Sequence, residues 1–172
     1  MTDITNYLAY FRNLQSLHVG IKSFFVMDIN EPLAALRSEM KYPSLIMNNV
    51  QGNFFSPNHD AILDHVNGGF LIIGRCDNPD DFGAEMILLQ QLKQIGTDIV
   101  SRMNHDLMKC EPRAVKAIPG FNLNTVSYQM VDGIFDNCLG FLFSYKLFAS
   151  VNLDYDAAKW PEVMVDPGPS EE

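Results

Sequence analysis

At 172 residues, 47% of them hydrophobic, the chain is long enough for one domain with a real core and short for two. A formal net charge of −9 and a pI of about 4.7 argue against a basic surface large enough to hold a nucleic-acid backbone. Cys76, Cys110 and Cys138 are odd in number and widely spaced, which argues against a disulfide framework and fits a reducing compartment.

No apolar run reaches the roughly 18–20 residues that span a bilayer, and residues 1–6 lack the basic start of a signal peptide, so a cytoplasmic protein is expected. Residues 3–17 read as a first helix, capped by Asp3 or Thr2, with Ile4, Leu8, Phe11 and Leu14 at helical spacing and Tyr7, Tyr10 and Leu17 widening the apolar side. Gly20 ends it. Phe24, Phe25, Val26, Met27 and Ile29 then predict a short strand over 22–29, buried on both faces. Asn30, Glu31 and Pro32 open a second, shorter helix that stops by Tyr42, because the residue before Pro43 is pushed out of the α region.

Leu45, Ile46 and Met47 predict the next strand, followed by a polar bend at Gly52 and Asn53 and a loop at Ser56, Pro57 and Asn58. Residues 59–66 fit either a helical turn or a strand. Phe70, Leu71, Ile72 and Ile73 are the best candidate for a central strand. A long helix follows over 78–109. Asn78 caps it, Pro79 suits its first turn, and Asp80 and Asp81 favour the positive end of its dipole. Ala84, Leu88, Leu92, Ile95, Ile99 and Met103 recur at steps of three and four, so one broad face packs on a sheet.

Residues 111–120 have two prolines, charges and no period, and are expected to form a mobile loop. Val126, Tyr128 and Met130 alternate with polar residues in a strand within 122–131, with turn chemistry at Asp132 and Gly133 or at Asp136 and Asn137. The clearest strand is the last. Phe141, Phe143, Tyr145, Leu147, Ala149, Val151 and Leu153 share one face of a period-two pattern. Beyond Trp160 the stretch 161–172 is acidic and Pro-rich, an expected disordered tail to a single domain over 1–160. The order α, β, α, β, β, α, β, β predicts a two-layer α+β fold. Its mostly antiparallel sheet of four to five strands is backed by two or three helices, the first and the long one on one face.

Chemistry is sparse. His59, Asp60, Asp64 and His65 form a symmetrical cluster of metal-compatible groups; on a helix they would share a side, on a strand they would scatter, and a polar loop with a helix cap explains them equally. Cys138 lacks the local sequence of a thiol nucleophile, and no phosphate-binding glycine loop or dinucleotide fingerprint is present. No catalytic residue, cofactor or metal is therefore assigned. Phe54 and Phe55 either present a sticky tip to a neighbouring subunit or fold back onto the core. Met86 and Met103 read as core filler.

Two stretches carry a family resemblance. One is Gly69-Phe70-Leu71-Ile72-Ile73-Gly74-Arg75 leading into the long helix; the other is Gly140-Phe141-Leu142-Phe143-Ser144-Tyr145-Lys146-Leu147, running through Asn152-Leu153-Asp154-Tyr155 to Lys159-Trp160. With the element order, the chain resembles the tail-terminator, or tail-completion, proteins of bacteriophages and prophages. In that group a sheet backed by helices assembles as a six-copy ring at the head-proximal end of the tail tube. The resemblance implies a non-enzymatic virion structural protein that self-assembles and docks to other tail or connector subunits. Its contacts would be heterologous. They would fall on Asn53, Phe54, Phe55 and Asn58, on Arg113 and Lys116 in the 111–120 stretch, and on the exposed side of the long helix at Arg102. Two other classes stay open: a small metal- or cysteine-dependent enzyme, and an adaptor that binds peptide along an edge strand.

Overall fold

The computed structural model describes residues 3–26, 40–58, 61–78, 80–133 and 137–153, without the side chains of residues 57, 58 and 61. Helix α1 (Ile4–Leu17) starts where Asp3 accepts hydrogen bonds from the backbone N–H groups of Thr5 and Asn6, and it buries Tyr7, Tyr10, Phe11 and Leu14. Strand β1 (Ser23–Val26) follows, then β2 (Ser44–Met47), β3 (Gln51–Asn58) and β4 (Ala61–Arg75). After β4 come α2 (Phe82–Met108), α3 (Pro112–Ala117), one turn of 3-10 helix at Leu123–Thr125, β5 (Ser127–Asp132) and β6 (Cys138–Ser150).

The strands form one six-stranded sheet in the order β1-β2-β4-β6-β5, with β3 also paired to β4. Only β1 and β2 run parallel. The 15-residue β4 is the axis: β2 pairs with it from Phe70 to Ile73, β3 pairs with it on the same side from Ala61 to Asn67, and β6 runs along its other side from Leu63 to Arg75. Period-two alternation then fixes what each face carries. Val66, Phe70, Ile72, Phe141, Phe143, Tyr145 and Leu147 join the helices in the main core. The opposite face holds a smaller cluster of Met40, Ile46, Leu71, Ile73 and Cys138. Helices α1 and α2 thus line one face, as the sequence pattern requires, in a two-layer α+β fold.

Several expectations need correction. The long helix begins at Phe82, because Asp81, not Asn78, accepts from the Ala84 backbone N–H and caps it. Strand β1 is not buried on both faces; it is an edge strand, and Val26 is largely exposed. Residues 51–58 are strand, not bend and loop, and 61–66 belong to β4. The stretch 111–120 contains α3, whose Ala114 and Ala117 are buried beside Ile118. The short second helix lies outside the described residues except for Met40, as do Pro79, the 161–172 tail and Trp160.

Helix α2 packs tightly on the sheet at Gly96, where the Phe143 ring fills the space a Cβ would need. Its C-terminal half is tied to α1 by Asp106, a buried carboxylate that accepts from Tyr10 Oη at 3.0 Å and from Arg102 Nε at 2.6 Å. Asp106→Ala leaves the Tyr10 hydroxyl without its acceptor, and urea denaturation is expected to read a loss of about 2 kcal/mol. Arg102 is half exposed, so the ion pair itself supplies little of that.

Candidate functional site

The sheet geometry decides the fate of the histidine–aspartate cluster. His59 and Asp60 lie outside the described residues. Asp64 and His65 are neighbours on a strand, so they point to opposite faces. Asp64, opposite Phe54 and Ala149, faces the helices and is buried. His65, opposite Asn53 and Phe148, lies on the other face and stacks on the Phe148 ring at 4.8 Å. The helical alternative for 61–66 is thereby overturned, and no group of three or more metal-ligating side chains gathers among the described residues. Cys138 is buried at the start of β6, and its thiol donates to Tyr42 Oη at 3.3 Å, so its hydrogen-bond partner is a phenol and not an imidazole.

The interface candidates divide more usefully. Phe54 and Phe55 are 56% and 55% exposed; neither folds back onto the core. As successive strand residues they flank the sheet, Phe54 on the helix side opposite Asp64 and Phe55 on the other side opposite Leu63. Asn53 is exposed beside them, and Asn58 ends β3 opposite Ala61, past an irregularity in the pairing. Arg113 and Lys116 are exposed, one turn apart on α3. Arg102 is instead engaged by Asp106. Met103 is fully buried, as core filler should be, whereas Met86 is half exposed and is not core.

Two features had no sequence signal. On the face opposite the helices, Asn48, Gln51, Asn67, Ser127, Ser144 and Lys146 line an open polar groove of about 210 Å³. Its residues come from segments far apart in the chain, so only the pairing of β3, β4, β6 and β5 brings them together. Inside the core, Tyr7 and Tyr145 share a hydroxyl–hydroxyl hydrogen bond of 2.6 Å. Burial pushes the Tyr7 phenol up to about 12, against the opposing effect of its hydrogen bonds with Tyr145 and Gly69. Burial raises Tyr145 well above its ordinary value too, reinforced by Tyr7, and raises Tyr10, reinforced by the Asp106 carboxylate.

No helix among the described residues is long and apolar enough to cross a membrane. Compared with protein-family models and with curated protein sequences, the chain matches none. What the molecule defines by itself is a two-layer α+β architecture on a six-stranded, mostly antiparallel open sheet.

Proposed function

We propose that this chain is a non-enzymatic structural protein of the phage or prophage tail-completion type, which joins or terminates a tail tube by ring-type self-assembly and by docking to neighbouring tail subunits. The observation that carries this reading is the β3–β4 hairpin. Among the described residues no strand pairs with the outer edge of β3, which has no charged residue from Gln51 to Asn58 and exposes an aromatic ring on each face of the sheet. Soluble proteins ordinarily guard such an edge with charge or cover it, so an uncharged aromatic edge fits a surface that another chain covers. The two-layer fold with its helices on one face agrees with the architecture of that group, and it supports the reading only at the level of fold.

Light scattering across a concentration series, followed by negative-stain imaging of the heaviest species, tests the proposal. Rings or higher oligomers are expected. Phe54→Ser and Phe55→Ser are expected to weaken assembly by about tenfold or more while leaving the thermal transition in place, since removing an interface aromatic typically costs upward of 1–2 kcal/mol. A monomer at every concentration that holds one equivalent of metal would replace this reading with an enzyme. A monomer that binds one specific peptide would replace it with an adaptor.

A further inference from the structure

The polar groove on the face opposite the helices is founded on a gap in the strand pairing. Strand β2 leaves β4 after the pair Met47 and Phe70, and β3 joins β4 only at Gln51 opposite Asn67. Gly68 and Gly69 fall between the two pairings, where the Asn48 backbone N–H donates to the Gly69 carbonyl at 3.3 Å. By strand alternation Gly69 is directed to the same face as Asn67. A Cβ on Gly69 would lie 3.9 Å from Ser144 Oγ, so the missing side chain leaves the floor of the groove open.

The register sets its walls in rows. Asn67 is opposite Lys146; Gly69 is opposite Ser144, which is itself opposite Ser127. These rows are two residues apart along the strands, about 7 Å, the scale of one sugar ring with its hydroxyls. The next row beyond Asn67 and Lys146 on this face is aromatic, with His65 stacked on Phe148. Asn48 and Gln51 close the groove at the β2–β3 connection. The 3-10 turn closes the other side, where Thr125 Oγ1 accepts from the Lys146 backbone N–H at 3.1 Å.

Among the described residues no Asp or Glu lines the groove, although the chain has a net charge of −9, and no carboxylate pairs with Lys146. The side chains of Gln51, Asn67, Ser127 and Ser144 likewise make no hydrogen bond among the described residues. Amides and hydroxyls both donate and accept, as the hydroxyls of a sugar do. A single ammonium matches a single carboxylate and is too few cations for a phosphate polymer. We propose that the groove binds a sugar carrying one carboxylate, a uronic acid. Its carboxylate meets Lys146 Nζ, its hydroxyls meet Asn48, Gln51, Asn67 and Ser144, and its C–H face lies toward the stack of His65 and Phe148. The site lies within one copy, so this inference does not depend on the self-assembly proposed above.

Saturation-transfer NMR with the full chain tests this, because it reads the ligand and works for a monomer or a ring. The probes are glucuronate and galacturonate, with glucose as the neutral sugar and acetate as the bare carboxylate. At least one uronate is expected to bind about tenfold more tightly than glucose or acetate, as a charge-assisted hydrogen bond added to a set of neutral ones would give. Lys146→Gln is expected to remove the advantage over glucose. Ser144→Phe, which fills the groove from an exposed strand position, is expected to abolish binding of the sugars. Should Ser144→Phe fail to fold, Asn67→Ala, also at an exposed position, replaces it and is expected to weaken the uronate several-fold. Failure of both uronates to bind overturns the inference. So does a uronate held no more tightly than acetate, since Lys146 would then be holding an anion alone. A uronate that binds the Lys146→Gln and groove-blocked variants as it binds wild type also overturns it, by placing the sugar elsewhere. Each of these outcomes leaves ring assembly, which light scattering reads separately, untouched.

Discussion

Gly96→Ala is expected to lower stability by about 2 kcal/mol, against the direction that helix propensity alone would give. In an exposed helix interior, alanine is favoured over glycine by about 1 kcal/mol. At position 96 the added methyl would overlap the Phe143 ring. That ring has nowhere to go: Phe143 is 2% exposed, stacks on Phe70 with centroids 5.0 Å apart, and is flanked by Tyr128 at 5.7 Å. Overpacking a tight core costs about 1–3 kcal/mol and sometimes more, so the clash outweighs the propensity gain. Urea denaturation of Gly96→Ala, Phe143→Leu and the double variant separates the two effects. If the contact is what matters, Phe143→Leu makes room and the double variant is more stable than the sum of the single losses allows. A Gly96→Ala protein as stable as wild type would mean that α2 does not sit this close to β6.

The same contact marks how far the sequence could be read. The alternation from Phe141 to Ala149 and the helical spacing from Leu92 to Met103 name the two faces that meet, because each is a long periodic segment buried on one side. That the Phe143 ring packs directly over Gly96 has no one-dimensional signature. Strand β3 was hidden for another reason: Gly52, Asn53, Ser56, Pro57 and Asn58 are turn formers, and what makes them a strand is pairing with β4. Helix α3 spans only six residues, too few to display a period, and its inward alanines carry weak hydrophobic contrast. At the long helix the cap expected at Asn78 falls at Asp81, whose carboxylate accepts from the Ala84 N–H; Asp81, assigned only to the helix dipole, is as good a capping residue as Asn78.

The candidate interface was half legible. Phe54 and Phe55 stand out in an uncharged stretch, but their exposure depends on whether anything else covers the hairpin, which is a tertiary fact. Arg102 illustrates the converse. Helical spacing places it on the outer side of α2, yet Asp106 one turn on and Tyr10 from α1 draw it into a structural role. A pocket around Asp64 combines residues from α1, the β2–β3 connection, β3 and β4, so its acid looked like part of a metal cluster until the strand separated Asp64 from His65.

Above pH 10 the protein is expected to lose stability steeply and to unfold within roughly two pH units, through the tyrosines of its core. The sign follows from which state holds the protons. Tyr7 ionises at about 12 in the folded protein, and Tyr10 and Tyr145 are also raised, whereas an unfolded chain releases all three near 10. Below pH 10 both states are protonated and the stability from these groups is fully present. As the pH rises from 10 toward the folded values, the unfolded state sheds protons that the native state keeps. Each tyrosine then removes about 1.4 kcal/mol per pH unit, or about 4 kcal/mol per unit for the three together. A domain stable by about 5–15 kcal/mol does not survive much of that interval. Tyrosinate absorbance followed together with circular dichroism should show the core phenols ionising together with the loss of the fold. Tyr7→Phe removes one hydroxyl of the 2.6 Å pair and is expected to cost about 1 kcal/mol at neutral pH. It should also flatten the decline above pH 10 by about 1.4 kcal/mol per pH unit. A decline of unchanged steepness in that variant would show that Tyr7 is not held neutral by the core.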